Sequence, residues 1–174
     1  MTSGQRFLSN SRSYLNTEYR AKLHAAVDAM PADKLWWRPN EESNSVGNLL
    51  LHLAGNVSEW IVSGVGGAPN TRRRADEFAA RSGHGASELL ALLDKALDNA
   101  DAALAELTEA DLDVPRTIQG RETTVLEAVY HVVEHFSMHV GQIILVAKMH
   151  APGAVQFYED AGGLARPAWR DAAP

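Results

Sequence analysis

The sequence carries seven histidines and no cysteine. Any metal chemistry must therefore run through imidazole and carboxylate groups, because thiolate nucleophiles, Cys-ligated zinc, iron–sulfur clusters and disulfides are all excluded. The densest chemical segment runs from His131 through Glu134 and His135 to His139. Side chains four apart on a helix lie about 40° apart around it and about 6 Å along it, so two imidazoles at that spacing can reach one ion. His131 and His139 are about 12 Å apart along the axis and do not share that ion. The choice lies between His131 with His135 and His135 with His139.

An apolar stripe of Leu126, Val129, Val132, Phe136, Val140, Ile143 and Ala147 marks the face expected to be buried. His139 lies beside this stripe, His135 next to it, and His131 falls toward the polar side. The pair His135 and His139 is thus better placed for an interior cleft. Gly141, just past it, removes a side chain and is expected to let a neighbouring helix or ligand come close. Further ligands must come from another helix. His52 is the natural candidate, since it interrupts Leu49, Leu50, Leu51 and Leu53 where a core leucine would be expected. Asn56 and Glu59 continue from it as a polar strip. Three histidines with open positions for water would make a catalytic rather than a closed structural site. The plainer reading is that each is a hydrogen-bonded core or boundary residue. His24, His84 and His150 take that reading, as a helix face, an exposed loop and a helix end. The run from His131 to His135 also matches the inverted zinc-protease pattern with Glu134 as base. Against it, Glu134 points away from the stripe and little chain follows to supply a third ligand.

Four helical segments position these residues, and no stretch alternates as a half-buried strand does. The first spans about residues 7–29 and is stopped by Pro31. The second starts near Asn44 or Ser45 as N-cap and ends in the glycines at 64, 66 and 67. A connection over 66–86 follows, then a third helix capped by Ser87 and running to Leu107. A second connection covers 108–121, and the fourth helix runs from Thr123 or Thr124 to about Met149. The tail, 151–174, is rich in Ala, Gly and Pro and is expected to drape over the bundle. The 174 residues fit a single all-α domain, a four-helix bundle over about 7–150 with long crossover loops and an irregular C-terminal tail.

The 22 acidic and 16 basic side chains leave a net charge of −6, which argues against nucleic acid as a partner. No apolar run is long enough for a membrane span, and the N-terminus lacks the shape of a secretory signal, so a cytoplasmic protein is expected. Arg72, Arg73 and Arg74 read either as contacts for an anionic ligand or, more simply, as a solvated charge run. Trp36, Trp37 and Trp60 read as packing, with one of them a possible wall of the cleft. Gln142 is a candidate to orient a ligand histidine or bind substrate, with helix packing as the simpler role.

The sequence resembles the DinB-like family of metal-binding four-helix bundles. The resemblance rests on Trp37, Arg38 and Pro39; on the segment from Asn44 to Ala54 that contains His52; and on His135, His139, Gly141 and Gln142 in the fourth helix. It covers about residues 7–150 and points to an uncharacterised branch. It implies a divalent ion, Zn²⁺ or Ni²⁺, on His52, His135 and His139, and a homodimer. Many relatives have Glu directly after the first histidine of the last motif; Phe136 stands there instead, an apolar wall without an acceptor. Some relatives are S-transferases or isomerases that use a low-molecular-weight bacterial thiol. The resemblance therefore implies a metal-dependent transferase joining such a thiol to a small electrophile, with Asn56, Trp60, Phe136 and Gln142 as candidate substrate contacts. The alternatives are a metal-dependent hydrolase with Glu59 as base, and a non-enzymatic metal- or ligand-binding stress-response bundle.

Overall fold

Capping residues and breakers set the ends of four long helices. A computed structural model of the protein describes residues 1–168. The first long helix is continuous: Ser3–Ser13 and Arg20–Asp28 are α-helical, and Tyr14–Tyr19 between them is a π-helical stretch. It begins earlier than residue 7 because Thr2 and Gln5 form a capping box that satisfies its first free N–H groups. The second comprises Val46–Val57 and a π-helical continuation, Ser58–Val65, with Ser45 and Asn48 as its capping box. The third, Ala86–Ala105, has Gly85 rather than Ser87 at its N-cap. The fourth, Val125–His150, is capped by Thr124 with Glu127.

The four pack around one core that includes Leu15, Leu23, Leu50, Leu53, Leu97 and Ile143. On the fourth helix the buried face runs through Val125, Val129, Val132, Phe136, Val140 and Ala147. Leu126 is exposed. Three residues before Val129, it falls about 60° round the helix from it, and Val125 takes the buried place. No helix among the described residues is long and apolar enough to cross a membrane.

Both long connections hold structure of their own. The first contains the short helix Arg74–Ala79. The second holds an antiparallel hairpin, Pro115–Ile118 against Arg121–Thr124, which has no readable alternation because Ile118 is the one fully buried residue in either strand. Gln119 and Gly120 make its turn at φ 54° and 73°, the paired left-handed conformation of a two-residue hairpin loop. The tail is less irregular than expected: Tyr158–Asp160 pairs with Ala165–Pro167, while Val155 and Phe157 are buried against the bundle. Its residues 169–174 lie outside the described part.

Two contacts tie the loops to the second helix. Trp36 lies over Gly47, where a Cβ would come within 2.8 Å of the indole, and its Nε1–H donates to the His84 carbonyl. Asn48 is almost fully buried; its Oδ1 accepts from Ser45, while its Nδ2 donates to the carbonyls of Glu77 and Ala80, each at 2.8 Å. One amide thus caps the helix and holds the short helix against it. Asn48→Ala leaves two carbonyls without this donor and removes the cap's acceptor, a loss of about 3 kcal/mol. Urea denaturation should show that loss with the m-value unchanged.

Candidate metal centre

His52 is buried on the second helix, one turn past the Asn48 anchor, between core leucines. His135 and His139 are one turn apart on the facing fourth helix. Their Nε2 atoms converge: His52 and His139 lie 3.0 and 3.1 Å from His135. The rings meet edge to face rather than stacked, with interplanar angles of 66°, 89° and 80°. Nitrogen ligands at about 2.0–2.1 Å from a tetrahedral ion stand about 3.3 Å from one another, close to the spacing observed. These three residues form the one group among the described residues with the His, Asp or Glu ligand atoms to hold a metal ion.

The outer nitrogens decide the tautomers. His52 Nδ1 lies 3.0 Å from Glu77 Oε2, and His139 Nδ1 lies 2.6 Å from Gln142 Oε1. With Nδ1–H donating to each oxygen, Nε2 of both rings is left with a free lone pair, the usual state of a metal-ligating histidine. Arg72 Nη2 also stands 3.0 Å from His52 Nδ1, but it donates to Glu77 Oε2 at 2.8 Å. His135 Nδ1 is buried and has no partner among the described residues. Burial, and then the neighbouring imidazoles and Arg72, pushes His135 down to about 3. His139 is also lowered by burial, against the opposing pull of Gln142. Both rings are therefore neutral at neutral pH and able to bind a cation.

Glu77 and Arg72 are the residues that sequence reasoning did not place. Arg72 is neither solvated nor open to a ligand: its side chain is 3% exposed. It donates through Nε and Nη2 to the two oxygens of Glu77 and through Nη1 to Glu59 at 2.9 Å. Burial would raise the Glu77 carboxyl, but hydrogen bonds from Arg72 and His52 hold it below its ordinary value. Glu59 is likewise raised by burial and lowered further by Gln119, Arg72 and Asn70, which makes it a poor base. Gly55 was the one readable signal. A Cβ there would collide with Glu77 Oε1, so the mid-helix glycine admits the carboxylate.

The remaining candidates separate. Asn56 and Trp60 are both buried, and Asn56 Oδ1 and Trp60 Nε1 lack partners among the described residues. Trp60 packs on His131, with ring centroids 4.3 Å apart, so His131 is a half-buried neighbour of the trio rather than a polar-face residue. Glu134 is exposed, which leaves the protease pattern without its base in the site. Phe136 is fully buried and stacked on Tyr19, a core residue rather than a wall of the site. Gly141 is exposed, and a Cβ there would meet nothing within 4 Å, so no close approach among the described residues explains it. Arg73 and Arg74 are exposed. His24 pairs with Asp94, His84 with Glu88, and His150 packs edge-on to Trp37.

Residues 2–157 match the family described as "Protein of unknown function (DUF1572)". No curated protein matches the chain. Among solved structures, the chain is similar to a DinB-like protein, YjoA, from Bacillus subtilis, determined at 2.30 Å resolution. The two are 20% identical with a TM-score of 0.64, over 86% of this chain and 97% of that one. The fold is therefore DinB-like.

The depressed histidines make stability depend on pH. His135 titrates near its ordinary 6.5 when unfolded and near 3 when folded, so the stability of its neutral buried state is complete above pH 6.5 and lost as pH falls. Metal-free protein should lose about 2 kcal/mol through His135 between pH 6.5 and pH 5, with His131 and His139 acting in the same direction. Urea denaturation at a series of pH values checks this, and His135→Leu should flatten the profile.

Proposed function

For a chain that belongs to the DUF1572 family and carries three converging imidazoles on a DinB-like bundle, we propose a metal-dependent transferase that joins a low-molecular-weight thiol to a small electrophile. The convergence of the three Nε2 atoms is the observation that carries the reading. A divalent cation, Zn²⁺ or Ni²⁺, would supply the positive charge that lowers the pKa of a thiol beside it. His52, His135 and His139 would hold that cation, with Glu77 and Gln142 fixing two of the rings. Asn56 and Trp60 present a buried acceptor and donor one and two turns along from His52, the natural contacts for a polar group of the electrophile. With no cysteine in the chain, the sulfur must come from the cosubstrate. A cytoplasmic setting, where thiols are kept reduced, suits that chemistry. A hydrolase is less well supported, because Glu59 is engaged with Asn70, Arg72 and Gln119.

The same reading includes a homodimer. Leu126, Tyr130, Met138, Leu145 and Met149 all face solvent on the fourth helix. Exposed Gly141 sits among them, at a cost of about 1 kcal/mol relative to alanine that no close approach among the described residues offsets. Glu134 and Lys148 lie seven residues before and after it. In an antiparallel crossing at Gly141, Glu134 of one copy meets Lys148 of the other, twice by symmetry. Analytical ultracentrifugation should show Glu134→Lys weakening the dimer and the added Lys148→Glu restoring it.

The activity is tested with a panel of low-molecular-weight thiols, a bimane electrophile, and protein stripped and reloaded with Zn²⁺ or Ni²⁺. Thiol-dependent conjugation is expected, lost together with bound metal in His135→Ala. Glu77→Gln should weaken metal affinity about 10–100-fold. Turnover with no thiol dependence, or none with either metal, overturns the assignment.

A further inference from the structure

A cleft of about 660 Å³ lies on another side of the second helix, between it, the third helix and the connection over 66–86. None of His52, His135 and His139 lines it. His52 follows Leu51 and so points about 100° round the helix from the cleft's floor. The Arg72–Glu77 pair is the wall between the two. The volume falls within the range of pockets that take drug-sized ligands, about 300–1,000 Å³.

The lining has an apolar floor and one unbalanced charge. Leu51, Ala54, Val62, Leu92 and Ala96 form the floor, and Leu92 is left 44% exposed although it is a large aliphatic side chain. Ser58, Ser63 and Asn99 add polar groups. Among the charged residues that line the cleft, Arg72 pairs with Glu77 at 2.7 Å and Arg73 with Asp76 at 2.9 Å. Lys95 remains, with no ion pair among the described residues. One turn away from it lie Ala91, Leu92, Asp98 and Asn99; Asp98 pairs with Arg20 at 2.6 Å, as does Asp94 at 2.9 Å. An unpaired cation over an apolar floor selects a ligand with one negative charge and an apolar body. Neither a polyanion nor a fully apolar molecule matches both features.

We propose that this cleft is a second ligand site, separate from the histidine centre, for a small amphipathic monoanion such as a carboxylate or sulfonate on an aliphatic or aromatic body. The apolar body lies along Leu51, Val62 and Leu92, and the acid group meets Lys95. Binding here does not depend on a metal at the histidines.

The full-length chain, stripped of metal with chelator, is titrated calorimetrically with decanoate, decanol and anilinonaphthalenesulfonate. One saturable site per chain is expected for decanoate and for the sulfonate, with decanol binding at least about tenfold more weakly. Lys95→Glu, a change at an exposed position, should weaken both anions by about tenfold or more and leave the circular dichroism unchanged. Ala54→Trp, which fills the floor, should abolish binding. The assignment is overturned if neither anion saturates a single site, if decanol binds as tightly as decanoate, or if Lys95→Glu titrates like the native chain.

Discussion

One buried guanidinium organises much of this structure. Arg72 is 3% exposed, and a cation at that depth costs several kcal/mol unless its donors are met on every side. Two carboxylates from different elements meet them: Glu77 from the short helix and Glu59 from the second long helix. Each imposes a further condition. Glu77 must lie against Gly55, and the short helix that carries it is held by the Asn48 side chain. Glu59 also gathers Asn70 and Gln119, which draws both long connections to the same side of the second helix. The long crossings are thus the outer support of the histidine centre.

The clamp also sets the charge around that centre. Two carboxylates face one guanidinium, so the network holds one negative charge in excess, and Glu77 directs part of it at His52 Nδ1. His135 and His139 contribute no compensating charge, because burial keeps them neutral. A cation among the three Nε2 atoms would meet both needs together: lone pairs for its coordination and a nearby anion for its charge. The buried ion pairs contribute little to net stability by general experience. Here they orient His52.

Much of the inner arrangement was legible in the sequence. The four helices followed from apolar spacing, and the spacing of His135 and His139 together with His52 among leucines picked out the three rings the structure brings together. The supporting residues were not legible, for physical reasons. Arg72 belongs to a run of three arginines, and local sequence carries no mark that distinguishes the one buried by its partners from two left in solvent. Glu77 acts across a gap of 25 residues from His52, a distance no helical period spans. Leu126 misled because spacings of three and of four both fit an apolar repeat, and the buried place is held by Val125, four residues before Val129. The strand Pro115–Ile118 was invisible because it buries one residue and has nothing to alternate.

The centre is asymmetric in one respect. His52 and His139 each have an oxygen at the outer nitrogen, whereas His135, the ring nearest to both others, has none among the described residues. Position 136 does not make up for this. Phe136 points into the core against Tyr19, on the buried face with Val132 and Val140, where a carboxylate would be costly to desolvate. Among the described residues, Asn56 Oδ1 and Trp60 Nε1 on the facing helix are likewise buried without a partner. Each buried polar group left unmet costs about 1–3 kcal/mol, and a water, ion or ligand that supplied the partner would recover it.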